Sequence, residues 1–160
     1  MRILCPILVG GSFLPARCMN AASPGGHGVS PAFQWSDVPP GTKSFVLVMT
    51  DLDADDGESI LWYVANISAS TREMSERASG VRDLLPEGAT ELRTTSGQFG
   101  YAGPMVHPVD PPHKIAVRLI AIKEPKLKSG LFASGEEIVE EVKAEMLAEA
   151  SLECVATRAY

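Results

Sequence analysis

Phe45-Val-Leu-Val-Met-Thr-Asp-Leu-Asp-Ala-Asp-Asp-Gly57 is the stretch on which the reading of the fold turns. Its first five residues are all apolar, so a strand built from them offers apolar side chains to both faces of its sheet, as a strand in the middle of a core does. The densest run of acid in the chain follows at once. Asp51, Asp53, Asp55 and Asp56 stand where that central strand runs out. Two more residues of strand geometry put Asp51 and Asp53 on one side, where a ligand or a proton can be shared between them. Asp51, Asp53 and Asp55 also imitate positions 1, 3 and 5 of a calcium loop. Position 6, however, is Asp56 instead of Gly, and position 12 is Trp62 instead of Glu. A structural turn, with aspartates bonding their own backbone, is the alternative reading of the same residues.

Working outward, short apolar runs rich in Val, Ile and aromatics predict further strands at 3–9, 32–35, 60–67, 114–122 and 152–157, beside the central one at 45–50. In the run from Lys114, Ile115, Val117 and Leu119 share one face and Arg118 takes the other, which sets that strand nearer a surface. The chain has 14 Gly and 12 Pro, clustered between these runs, and such punctuation belongs to a mainly β protein. Between residues 68 and 98 the sequence turns polar and reads as a long excursion. Near the C-terminus, Ser134-Gly-Glu-Glu137 forms a capping box, and Ile138, Val139, Val142, Met146 and Leu147 recur at helical spacing. Glu140, Glu141, Lys143, Glu145 and Glu149 give that helix a solvated acidic face.

With 14 Lys and Arg against 20 Asp and Glu, the net charge of −6 argues against nucleic acid as a partner. The apolar stretches, five residues from Phe45 to Met49 and six from Ile60 to Ala65, are far short of the ~18 needed for a membrane span. A chain of 160 residues is expected to form one domain over 1–160, with a core that needs neither disulfide nor structural metal. Cys5, Cys18 and Cys154 are odd in number and lack zinc-site spacing, so they read as free thiols of a reducing compartment. At the N-terminus, Pro6, Gly10-Gly11 and Arg17 break the pattern of a signal peptide, and cytoplasmic residence is the expectation.

The sequence lacks Gly-x-Ser-x-Gly, a phosphate-binding Gly-x-x-x-x-Gly-Lys-Ser/Thr loop and Gly-x-Gly-x-x-Gly before a helix. No cofactor, catalytic residue or resident metal is called for. The residues left with chemistry to offer are the Asp cluster, His27, and the rigid loop Gly100-Tyr-Ala-Gly-Pro104 with His107-Pro-Val-Asp-Pro-Pro-His113. Glycines in such a loop can expose amides to an anion, and prolines restrict it.

Taken in order, these elements resemble the phosphatidylethanolamine-binding protein family in its short bacterial and archaeal form. The resemblance starts at Gly11-Ser-Phe-Leu-Pro15 and sharpens at Ser30-Pro-Ala-Phe-Gln-Trp-Ser36 and Val38-Pro-Pro-Gly-Thr-Lys-Ser44. Asp51-Leu-Asp-Ala54 stands for the family's Asp-Pro-Asp-x-Pro, and Trp62-Tyr-Val-Ala-Asn-Ile67 for the tail of its His-Trp-x-x-x-Asn-Ile. Gly100-Tyr-Ala-Gly-Pro104 is similar to the second signature, and His113-Lys-Ile115 occupies the place of His-Arg-Tyr. The resemblance implies an antiparallel β-sandwich with Greek-key connections and a few peripheral helices, including one near the C-terminus. It also implies an anion pocket at one end, made here by Asp51, Asp53, Gly103, Pro104 and His113.

Two polar groups usual in that pocket are replaced, by Leu61 and Ile115, so the site is thinned. The expected function is a non-enzymatic binding protein with a small, degenerate pocket for an anionic or phosphoryl ligand, and pairing into a homodimer is expected. The alternatives are a regulator that docks on a kinase or protease without a small ligand, and an ester hydrolase using Asp51 or Asp53 with His113 as acid and base.

Overall fold

The computed structural model describes residues 1–158. Its strands are β1 (Arg2–Leu4), β2 (Phe33–Ser36), β3 (Ser44–Asp51), β4 (Ser59–Ser68), β5 (Glu73–Met74), β6 (Thr90–Glu91), β7 (His113–Ile122) and β8 (Met146–Ala156), with one α-helix, α1 (Gly135–Glu145), before the last. All strand pairings between them are antiparallel. β1, β2 and β5 form a small sheet, and a larger one runs in the order β6-β4-β3-β7-β8.

β3 is the central strand of the larger sheet, and its double-sided apolar run explains why. Phe45, Leu47 and Met49 point to one face and pack with Phe33, Trp35 and Met74 of the small sheet. Val46 and Val48 point to the other and pack with Ile138 and Val142 of α1. The molecule is therefore layered: small sheet, large sheet, helix. Ile115, Val117 and Leu119 of β7 join the inner layer while Arg118 points away, as their alternation predicts. Arg118 makes a two-pronged pair with Glu149 of β8, at 2.8 and 2.9 Å.

Four expectations need correction. The strand expected over 3–9 is only three residues long, because the chain turns at Pro6 and at Gly10-Gly11, both in left-handed backbone that glycine accepts. The excursion over 68–98 is not devoid of strands: it holds β5 and β6, and it buries Met74, Ala78 and Leu92. The capping box forms as read, with Ser134 Oγ accepting from Glu137 N, but the helix stops at Glu145. Met146 and Leu147 belong to β8 and are exposed, so only Ile138 and Val142 form the buried stripe. β8 accordingly starts six residues earlier than the run at 152 suggested. Among the described residues no helix is long and apolar enough to cross a membrane.

Candidate functional site

The inner face of β3 ends on Asp51, and that of β7 begins on His113. Asp51 is opposite Ile115 in the β3–β7 register, so His113, two residues along the same face, is its diagonal neighbour. Their side chains meet: His113 Nδ1 lies 2.8 Å from Asp51 Oδ2, with side chains 4% and 2% exposed. An ionised or polar group so deep needs partners, and Asp51 is fully supplied, because its Oδ1 accepts from Asp53 N at 2.9 Å. Asp51 therefore holds and orients the imidazole. The other ring nitrogen is different. Among the described residues no hydrogen-bond partner stands against His113 Nε2, so this nitrogen has its bonding capacity to offer.

Asp53 does not share the inner face with Asp51. The chain turns after Asp51, in the manner of an aspartate bonding the backbone two residues on, and Asp53 is exposed. Its Oδ2 accepts from Lys114 N at 2.8 Å, which ties this turn to the start of β7 beside His113. Leu52 N, donating to Lys114 O, adds a second tie.

Gly103 and Pro104 stand on the far side of β4. Ala102 N donates to Leu61 O at 2.7 Å, bringing the loop alongside the sheet. From there Gly103 presses on another segment: a Cβ on it would meet Asn20 N and Met19 C at 2.5 Å, so nothing larger than glycine fits. The carbonyls of Gly103 and Pro104 accept from the Asn20 side chain and backbone N–H, respectively. They are thus engaged in holding the 18–20 segment. Sequence reasoning singled out neither Asn20 nor Tyr101, whose hydroxyl donates to Cys18 O at 2.7 Å beneath the same contact. Burial pushes the Tyr101 phenol well above its ordinary range, so it remains a donor. The tyrosine in Gly100-Tyr-Ala-Gly-Pro104 was the available signal for it; Asn20, in an unremarkable run, gave none.

The two replaced positions both line the core. Ile115 is fully buried and Leu61 is 5% exposed. Leu61 is moreover the extra residue of a β-bulge: Met49 pairs with Trp62 and Thr50 with Ile60, leaving Leu61 unopposed. The bulge puts both Leu61 and Trp62 into the inner core cluster, beside the end of the sheet where Asp51 sits. Trp62 is fixed there by Glu91 Oε1, which accepts from its indole N–H at 2.8 Å, and by edge-on contact with Tyr101.

A two-sheet antiparallel sandwich, with a buried aspartate–histidine pair at one end and a glycine–proline turn packed on the 18–20 segment, agrees with what family comparison finds. The family model "Phosphatidylethanolamine-binding protein" matches residues 8–157, and the chain belongs to that family. Among individual relatives, it is 32% identical to the UPF0098 protein YbhB of Escherichia coli K12 over 154 residues, which is 95% of this chain and 97% of YbhB. The crystal structure of E. coli YbcL, described as a new member of the mammalian PEBP family, superposes with a TM-score of 0.86 at 28% identity, over 97% of this chain and 96% of that one. A PEBP homologue from Chlamydia trachomatis, CT736, gives 0.79 at 26% identity, over 96% and 95%.

Proposed function

We propose that this protein is a non-enzymatic binder of small anions, phosphate or a phosphoryl head group, at the end of the sandwich marked by His113. One observation carries this: an imidazole almost wholly buried, fixed on its Nδ1 side by Asp51, and left without a hydrogen-bond partner at Nε2 among the described residues. An imidazole held in that way is aimed at whatever enters, and it can donate to an oxyanion. Against an enzyme stands the lack of a second free acid or base: both oxygens of Asp51 are engaged, and Asp53 faces outward onto Lys114 N. Leu61 and Ile115 add apolar wall where donors would strengthen the site, so affinity is weak. The three free thiols, two of them buried, favour the cytoplasm as its location.

Titration of the protein with phosphate and with phosphorylethanolamine, followed by amide NMR shifts, tests the reading. Shifts should cluster at Asp51, Asp53, Gly103 and His113. His113→Gln, which keeps the fold but changes the donor, should weaken them, and His113→Ala should abolish them. No response at tens of millimolar defeats the proposal. A specific protein partner whose capture survives loss of both Asp51 and His113 would favour the docking regulator instead.

A further inference from the structure

The geometry points to a divalent-metal site at Asp55, His107 and Asp110, on the two loops outside the buried pair. One ligand atom from each of these side chains lies within 4.8 Å of the other two. His107 Nε2 is already 2.9 Å from Asp55 Oδ2. In a tetrahedral zinc sphere with ligand bonds of about 2.0–2.2 Å, donor atoms stand roughly 3.3 Å apart. The third donor must therefore approach by no more than about 1.5 Å, within the rotation of partly exposed side chains.

The loops are built to hold such a cluster. Asp110 N donates to His107 O at 3.1 Å and His107 N to Asp110 Oδ2 at 3.3 Å, closing a short turn around these two ligands. Pro108, Pro111 and Pro112 remove much of the remaining freedom on either side of Asp110. Charge points the same way. Among the described residues no Lys or Arg side chain pairs with Asp55 or Asp110, so two carboxylates converge on one imidazole without a permanent cation between them. A dication would match that charge. One nitrogen and two carboxylate oxygens suit a borderline first-row ion, zinc, manganese or cobalt, better than calcium, which takes oxygen alone, or a copper(I) centre, which wants sulfur. With only three protein ligands the ion keeps positions open to water.

Asp55 and His107 are 52 residues apart in sequence, so the ion would tie the loop after β3 to the loop before β7, the segments that adjoin Asp51 and His113. The site is independent of anion binding, and the two can fail separately.

The test is calorimetric titration of the full chain with zinc after treatment with a chelator, repeated with cobalt for its absorption spectrum. We expect one ion per chain at micromolar affinity. His107→Ala and Asp55→Asn should each weaken it by at least about tenfold, as loss of a ligand does, with unchanged circular dichroism. His27→Gln, at an exposed histidine on another loop, should bind as the parent does. Cobalt should show ligand-field bands without thiolate charge transfer. Absence of saturable binding at millimolar zinc, equal affinity in the His107→Ala protein, loss of binding in His27→Gln, or a thiolate band would each overturn the proposal.

Discussion

Two aspartate–histidine pairs join the β3 end to the β7 start, one on the strands themselves and one on the adjoining loops, at nearly the same distance, 2.8 Å for Asp51–His113 and 2.9 Å for Asp55–His107, yet they differ in everything else. The first lies almost wholly buried at one end of the sandwich, with side chains 4% and 2% exposed. In the second the side chains are 52% exposed at His107 and 62% at Asp55. Contact chemistry alone therefore says little about consequence; the medium around the contact decides. In water, solvation competes with the partner and the pair contributes little, whereas inside, each group depends on the other for its solvation.

Truncation should separate the two pairs most sharply. Asp51→Ala or His113→Ala leaves one buried polar partner stranded and should cost about 3–5 kcal/mol in urea unfolding. Asp55→Ala or His107→Ala, measured in chelator-treated protein, should cost no more than about 1 kcal/mol. Equal losses at both would break the comparison. Gly103→Ala comes next, because its added methyl meets the backbone of residues 19 and 20; we expect about 1–3 kcal/mol and loosening of the Asn20 contacts.

The comparison can also be sharpened by giving the buried end the donors it lacks. The double variant Leu61→His, Ile115→Tyr should bind phosphate about tenfold more tightly than the parent, or about 1.4 kcal/mol, while being less stable because Ile115 is fully packed. Binding unchanged by both substitutions would show that the two apolar residues are not what limits affinity.

How far this contrast was legible in the sequence follows from its physics. The central strand was legible, because an apolar side chain at every position of Phe45 to Met49 admits only burial on both faces. Asp51 and His113 were legible only through the ordered resemblance to a family; sixty-two residues separate them, and no local pattern reports a contact at that range. Of the two readings that Asp51 and Asp53 admit, a continued strand and a turn in which aspartate bonds its own backbone, the turn is the one that forms, because the Asp51 carboxylate takes the Asp53 N–H that a further strand residue would leave to a neighbour. Met146 and Leu147 misled in the opposite way. They keep helical spacing with Val142, but the ladder to β7 takes the backbone from Met146 onward, and tertiary pairing overrides the local period. β5 and β6, two residues each, exist only because β2 and β4 offer them an edge, which no sequence window contains.

Smaller effects are expected elsewhere. The Glu124 carboxyl is pushed above its ordinary 4.5, first by burial and then by the Glu141 carboxylate against it, and its Oε1 has no partner. A folded-state value raised in this way leaves stability intact below pH 4.5 and erodes it as pH rises through the folded value. Glu124→Gln should therefore raise Tm at pH 7 by about 2 °C and have no effect at pH 4. A gain at both pH values would contradict the cause given. Smallest of all is the thiol response. Burial pushes Cys18 and Cys154 up to about 12, and Cys5 to about 11. At pH 8 an aromatic disulfide reagent should label the native protein slowly, Cys5 first, and all three cysteines at once in urea.

The junction of α1 and β8 carries a consequence of its own. Glu145 ends the helix and Met146 begins the strand, with no residue between them to absorb an error of length. Deleting one residue from the last helical turn must then either unwind the helix by a step or drag β8 along its neighbour by one place, inverting Cys154 and Ala156 from inward to outward. The chain has made its helix a ruler for its final strand, and evolution can lengthen the loop ahead of α1 far more freely than the helix itself.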